Sequence, residues 1–275
     1  NGQIVDRKSV DLSDRSEQVV TFPVDFDAEG DYAGEIRLTG DEFPDDNSYY
    51  FTVDVLPKIN VLLVNGEASE NWFDDEGHWF GLAVSSTESS PFSLKTVGPA
   101  ELSGAALRQS DVLVMLNVGE LSRSQSSALS EYVVNGGSLL IAPGDRVKEA
   151  AFNQRLGEIS PARLEQVGLL DRDDYLVIAD YDRRHPIMRP LGSDWSARFQ
   201  GHWRLTPRED ANVLMQFDTT EAALLERDVG KGKVLLFASS FDLEWNNLAL
   251  QGQFLPFVHE TLRYLARSEV IRSAY

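Results

Sequence analysis

Three short runs of almost uninterrupted apolar sequence restrict this chain more than any other feature: Val61-Leu62-Leu63-Val64, Val112-Leu113-Val114-Met115-Leu116 and Leu139-Leu140-Ile141-Ala142. A strand with one face in water alternates apolar and polar residues, whereas an uninterrupted run is buried on both faces, the condition of a parallel sheet covered by helices. Each run ends in a short turn, Asn65-Gly66-Glu67, Asn117-Val118-Gly119-Glu120 and Pro143-Gly144-Asp145. Strands are therefore predicted over 59–64, Phe92–Val97, Val112–Leu116 and Ser138–Ala142, with helices over 77–84 and after Leu116. In the latter helix Ser122 and Gln125 form an S-x-x-Q capping box, Ala128, Leu129, Tyr132 and Val133 make one apolar stripe, and Gly136 supplies the stop. Alternation of this kind is the signature of βαβ units with right-handed crossovers.

Beyond residue 150 the pattern loosens into an insertion with a strand expected near Tyr175-Leu176-Val177-Ile178. Three strands follow, Asn212–Phe217, 222–226 and 233–238, the last two joined by a hairpin-like Arg227-Asp228-Val229-Gly230-Lys231-Gly232, so the sheet is expected to be mainly parallel but mixed. A final amphipathic helix begins near Gln253 and turns Phe254, Phe257, Val258, Thr261, Leu262 and Leu265 inward.

The sequence ahead of Leu56-Pro57-Lys58 has a different period. Residues 18–24, 34–38 and 49–55 alternate with a period of two and are separated by turn residues, the pattern of an antiparallel sheet with one wet face. Four or five strands fit, fewer than an immunoglobulin-like sandwich needs, so its first strands are expected upstream of Asn1. Two domains are predicted: residues 1–57, a partial immunoglobulin-like β-sandwich, and residues 58–275, an α/β domain.

Composition removes several classes of function. Forty-four acidic against twenty-five basic residues give a formal charge of −19, which repels phosphate backbones and anionic lipid headgroups, so nucleic acid is not an expected partner. The acidic density over 67–76 reads as a solvated surface. Without cysteine there are no disulfides, thiolate metal sites or cysteine nucleophiles. The four histidines at 78, 185, 202 and 259 make no close metal-binding pair, and no Gly-rich phosphate motif occurs, so neither metal nor cofactor is expected. No run of eighteen apolar residues exists and no leader is expected at the start, so any membrane attachment would come from outside these residues.

Ligands of open α/β sheets bind at strand C-terminal ends, which makes Asn65, Gly66, Glu67, Asn117, Pro143, Gly144 and Asp145, with Ser240 after a later strand, the candidate crevice. The same residue types are also ordinary turn and cap formers, and both readings stand. No G-x-S-x-G elbow is present. Ser239 and Ser240 follow a strong strand and His259 lies downstream, but on the packed face of the last helix. His185, before Pro186, is expected to make a structural hydrogen bond. The aromatics Trp72, Phe73, Trp79, Phe80, Trp195, Phe199, Trp203 and Trp245 suit either loop packing or a sugar or protein surface.

Residues 59–268 resemble the class I glutamine amidotransferase-like domain of bacterial membrane proteins that also carry an aerotolerance-regulator-like N-terminal region and often a von Willebrand factor A domain. The resemblance rests on Val61-Leu62-Leu63-Val64-Asn65-Gly66, Leu129-x-x-Tyr132-Val133-x-x-Gly136-Gly137-Ser138-Leu139-Leu140-Ile141, Asp182-x-x-His185-Pro186 and Trp245-Asn246-Asn247-Leu248 before Phe254-Leu255-Pro256-Phe257-Val258-His259. It implies a flavodoxin-like three-layer α/β/α fold preceded by an immunoglobulin-like segment. Amidotransferases of this class carry a cysteine at the elbow, served by a histidine and a glutamate; here Ala142, Pro143 and Gly144 hold the elbow, and Ser239 and Ser240 stand where the histidine is expected. The resemblance therefore implies a non-catalytic binding or scaffold module, on the extracytoplasmic side of a cell-envelope protein anchored by other segments. Its expected partners are a protein, other domains of the same protein, or a small ligand. The alternative is a hydrolase with a non-standard site at the strand ends, drawing on Glu67, Asp145 or Ser240.

Overall fold

The computed structural model describes residues 4–10, 18–26, 28–40, 47–55, 57–85, 90–192 and 195–270. The chain divides into two compact units, Asn1–Pro57 and Lys58–Tyr275.

In the first unit β1 (Gly30–Arg37) and β2 (Ser48–Val55) form an antiparallel pair in register from Gly30↔Val55 to Arg37↔Ser48. Pairing puts Tyr32, Ile36, Tyr49, Phe51, Val53 and Val55 on one face and Asp31, Glu35, Arg37, Ser48, Thr52 and Asp54 on the other. The Phe51 ring lies over Gly34, a position where any Cβ would overlap it. The strand expected over 18–24 does not form; these residues are coil. Pro23 removes a ladder donor, and Val19 is 92% exposed, so no apolar face is buried to compensate. Among the described residues this unit is thus a two-stranded sheet.

The second unit is a mixed α/β structure. Its strands are β3 (Ile59–Asn65), β4 (Phe92–Val97), β5 (Val112–Leu116), β6 (Ser138–Ala142), β7 (Ala162–Leu169), β8 (Ile178–Tyr181), β9 (Gly201–Pro207), β10 (Asn212–Phe217), β11 (Ala222–Val229) and β12 (Gly232–Phe237). Eight of them form one sheet in the order β4-β3-β5-β6-β12-β11-β10-β8. The first five run parallel, and β11, β10 and β8 continue the sheet antiparallel. Numbered among themselves the parallel strands read 2-1-3-4-5, the flavodoxin-like order, whose topological switch lies between β3 and β5.

Helices cover both faces because the strand residues alternate between two cores. Val61, Leu63, Val112, Val114, Leu116, Leu140, Leu235 and Phe237 pack beneath α1 (Glu76–Val84) and α5 (Phe254–Val270). Their neighbours Leu62, Val64, Leu113, Met115, Leu139, Ile141, Val234 and Leu236 share a core with α2 (Gly104–Leu107), α3 (Arg123–Val134) and α4 (Glu149–Arg155). Each leucine or valine so enclosed contributes about 1.5–3 kcal/mol of burial. The capping box starts α3, with Ser122 N donating to Gln125 Oε1 at 2.9 Å and Gln125 N to Ser122 Oγ at 3.2 Å. All six inward residues expected of the last helix are buried.

The region beyond residue 150 is more ordered than its pattern suggests. β7 and β9, 32 residues apart between Leu169 and Gly201, pair antiparallel as a separate sheet. The strand expected around Tyr175 starts later, at Ile178, because Leu176 bridges instead to Phe199. Where β11, β12 and α5 meet, Glu226 accepts from Lys233 Nζ at 3.0 Å and Tyr264 OH at 2.8 Å, and His185 Nε2 lies 3.5 Å away. His185 also accepts from Ile187 N at 3.3 Å, the structural hydrogen bond expected of it. Among the described residues no helix is long and apolar enough to cross a membrane.

Candidate functional site

The three parallel strands at the switch end in loops that touch one another. Asn117, just past β5, has a φ of 48°, the left-handed region that asparagine tolerates better than most residues. Its backbone N donates to Ala142 O at 2.9 Å, and Gly66 N donates to Leu116 O at 2.8 Å. Glycine is required on both sides, since a Cβ on Gly66 would overlap the Asn117 carbonyl and one on Gly144 would meet the Asn117 amide at 2.5 Å. The Asn117 side chain donates to Asp145 Oδ1 at 2.8 Å and Glu67 Oε2 at 3.2 Å, and accepts from Arg146 N at 3.0 Å. Arg146 closes the ring on Glu67 Oε1 at 2.7 Å.

Glu67, Asn117, Gly144 and Asp145 are therefore brought together. Asn65 accepts from Glu67 N at 3.2 Å and donates to Asp75 Oδ1 at 2.8 Å, and Asp75 caps α1 by accepting from His78 N. Pro143 is buried within the turn. Ser240 is 1% exposed and bonds to Asp242 Oδ1 at 2.6 Å, not to the Asn117 ring.

The elbow after β6 is roofed. Trp203, 4% exposed on β9, donates its indole N–H to Gly144 O at 3.2 Å. Ser239 Oγ donates to Gly201 O at 2.7 Å and accepts from Asn246 Nδ2 at 3.1 Å. His259 bonds to Ala83 O at 2.8 Å and packs on Phe92, so its ring nitrogen is committed to α1 rather than to either serine. His202, buried on β9, lies 3.0 Å from Glu221 Oε2; burial lowers its pKa against the pull of that carboxylate.

Acidic side chains missing from the sequence reading complete the site. The acidic stretch 67–76 is not wholly solvated: Glu76, the first residue of α1, is 1% exposed and accepts from Phe241 N at 3.0 Å. Burial, and then the charge of Asp242, push its carboxyl well above the ordinary range. Asp242 is 4% exposed and is likewise raised by burial, against bonds from Ser240, Glu244 N and Trp245 N. Glu244, on the surface, is raised by partial burial and by Asp242, Asp145, Asp74 and Glu67. Among the described residues no three His, Asp or Glu groups are arranged to hold a metal ion. Two surface depressions, about 170 Å³ beside Asp180–Asp182 and 213–216 and about 430 Å³ beside Glu149 and 163–166, are not lined by Glu67, Asn117 or Asp145.

The fold defines the class: a flavodoxin-like mixed α/β unit with its polar residues at the switch point. No family model matches the chain, and no curated protein matches it. Solved structures do. A cytoplasmic protein of Salmonella typhimurium LT2 superposes with a TM-score of 0.58 at 15% identity, over 86% of this chain and 96% of its own. A ThuA-like protein of Bacteroides uniformis gives 0.55 at 13% identity over 76% and 91%. A β-galactosidase of Rahnella sp. R3 gives 0.55 at 14% identity, over 79% of this chain but 32% of the enzyme. At these identities the likeness is one of fold.

Proposed function

We propose that this chain is a non-catalytic recognition or scaffold module: a class I glutamine amidotransferase-like domain without its nucleophile, following an immunoglobulin-like segment. The observation that carries the reading is the elbow after β6. Ala142, Pro143 and Gly144 offer no nucleophile, and Trp203 covers the turn by donating to the Gly144 carbonyl. The two nearby serines spend their hydroxyls on Gly201 and Asp242, and no histidine reaches them as a base. The sequence resemblance extends the proposal to the extracytoplasmic side of a cell-envelope membrane protein.

The purified chain is expected to release no ammonia from glutamine and no chromophore from nitrophenyl esters or glycosides. Turnover abolished by Glu67→Gln, Asp145→Ala or Ser240→Ala, with the fold retained, would overturn the proposal in favour of a strand-end hydrolase. One contact favours that alternative, the 2.6 Å Ser240–Asp242 pair, but a serine that is 1% exposed and lacks a histidine is poorly placed to attack a substrate.

A further inference from the structure

One end of the β7–β9 sheet closes on a single imidazole. His202, 2% exposed on β9, pairs with Gly168 of β7, and its ring lies so close that a Cβ on that glycine would stand 2.7 Å from Cε1 and 3.2 Å from Nδ1. The Phe217 ring of β10 meets it edge-on, with centroids 5.2 Å apart. Nε2 lies 3.0 Å from Glu221 Oε2, and since a carboxylate accepts and does not donate, that nitrogen carries the proton. Nδ1 is then a bare acceptor, shielded from solvent and without a hydrogen-bond partner among the described residues.

Glu221 is fixed from several sides. Its Oε1 accepts from Arg204 Nε at 3.1 Å and its Oε2 from Thr219 Oγ1 at 3.0 Å. The turn that delivers it holds Thr220 at a φ of 70°, a left-handed conformation that a β-branched residue adopts only under constraint. The constraint is a pair of bonds, Thr220 N to Phe217 O and Phe217 N to Glu221 O, each 2.9 Å. The charged groups facing the imidazole are Glu221 from the β10–β11 turn and Arg204 from β9 itself; β7 and β10 contribute Gly168 and Phe217, which do not titrate.

A second proton on His202 would turn Nδ1 from a lone pair into a buried donor facing no acceptor, which burial penalises. The part that can yield is the end of β7. An irregularity between Leu164 and Val167 separates this end from the rest of the strand, and Leu169 is 68% exposed, so little apolar burial holds it down. Leu170 N donates to Gln200 O at 2.8 Å, and by antiparallel alternation Gly168 and His202 exchange the next bonds. β9 is pinned on its other edge, where Trp203 N donates to Ala238 O at 2.7 Å and Gly201 N to Trp245 O at 3.0 Å.

We infer that His202 is a pH-sensitive latch: neutral, it lets residues 167–170 close over it, and protonated in mildly acid solution it releases them and bares the edge of the strand that carries Trp203. In the closed form burial, with Arg204 as a smaller contribution, lowers the imidazole pKa against the pull of Glu221. Once residues 167–170 lift, the ring meets water and returns toward its ordinary value of about 6.5. Above that value the ring is neutral in both forms and the latch is intact. As pH falls from there toward the lowered value, the lifted form takes the proton first, so the closed form is progressively lost. The latch is independent of whether the strand ends turn over a substrate.

The test is NMR on the isotope-labelled whole chain between about pH 7.5 and 5.5. The His202 ring should be the Nε2–H tautomer at the upper pH and titrate with a midpoint below the ordinary value. Corrected for intrinsic rates, amide protection of Gly168, Leu170 and His202 should fall severalfold, and at most about tenfold, on acidification. The amides of Gly201, Trp203 and 112–116 should keep theirs. His202→Gln cannot take up a proton and should abolish the pH dependence. Gly168→Ala, whose Cβ would collide with the ring, should show the released exchange at the upper pH and change little on acidification. An Nδ1–H tautomer, a midpoint above the ordinary value, equal loss of protection in 112–116, or pH dependence retained in His202→Gln would each overturn the latch. Should His202→Gln fail to fold, the tautomer, the midpoint and the exchange of the unaltered chain decide.

Discussion

Two buried polar clusters lie on the same α/β unit and are built on opposite electrostatic plans. Around Glu226 the charges are matched: Lys233 and Tyr264 bond it, His185 faces it, and Lys233 also reaches Asp228 at 2.8 Å. Although burial alone would raise the Glu226 carboxyl, these partners hold it at about 2; burial of Lys233 is likewise overcome by Asp228, Tyr264 and Glu226, which raise it. Around Glu76 the charges are of one sign, and burial and repulsion act together. The first cluster ties β11 and β12 to α5 through opposite charges. The second gathers like charge around a buried carboxyl and, among the described residues, has no such cation bonded to Glu76.

The largest effect expected from this contrast belongs to the matched cluster. Lys233→Met strands the Glu226 carboxylate and should cost about 3–5 kcal/mol in urea unfolding, whereas Glu226→Leu/Lys233→Met together should recover most of that. Non-recovery would mean that the pair matters for more than its charge balance. Next, Asn117→Ala should cost about 2–3 kcal/mol: it removes the acceptor of Arg146 N, lets Glu67 and Asp145 face each other, and keeps a β-carbon at a φ of 48°. Asn117→Gly should cost less, because glycine relieves the backbone term.

The unmatched cluster should respond in the opposite sense and by less. Below pH 4.5 Glu76 is protonated in both folded and unfolded chains. As pH rises past that value the unfolded chain ionises first, so the stability associated with the neutral carboxyl is lost progressively up to its raised folded value. Glu76→Gln should therefore match the parent near pH 4 and exceed it at pH 8 in urea unfolding. Glu226 runs the other way: its contribution is full above pH 4.5 and is lost as pH falls through about 2, so Glu226→Gln should flatten the acid limb of the stability curve. A Glu76→Gln curve parallel to the parent's would dissolve the comparison. Smallest is Ser240→Ala, about 1 kcal/mol, from one hydrogen bond to Asp242.

The parallel half of the sheet was legible because each of its strands carries its own evidence. Uninterrupted apolar runs gave Val112–Leu116 and Ser138–Ala142 with the bounds observed, the alternation of Phe92–Val97 likewise matched its strand, and the Ser122–Gln125 box placed the start of α3. β7 and β9 were not legible, since each is stabilised by a partner far along the chain and their pairing is interrupted by an irregularity between Leu164 and Val167. The stretch 18–24 shows the converse, alternation without the burial that would make it a strand. At the site, Glu67, Asn117 and Asp145 followed from strand ends alone. Glu76 did not, because an acidic residue in a first helical turn is ordinarily solvated and favourable; only the Phe241 amide, 165 residues away, reveals it as buried.

The sequence by itself determined the layers: apolar runs of strand length must be covered on both faces, and the helices between them supply the cover. It also determined that the elbow bears no nucleophile, since Ala142, Pro143 and Gly144 have none to give. Tertiary structure alone decided which polar groups are matched and which are not. The charge on a side chain is local, but its cost depends on the dielectric and the partners that folding places around it, and those come from residues distant in the chain.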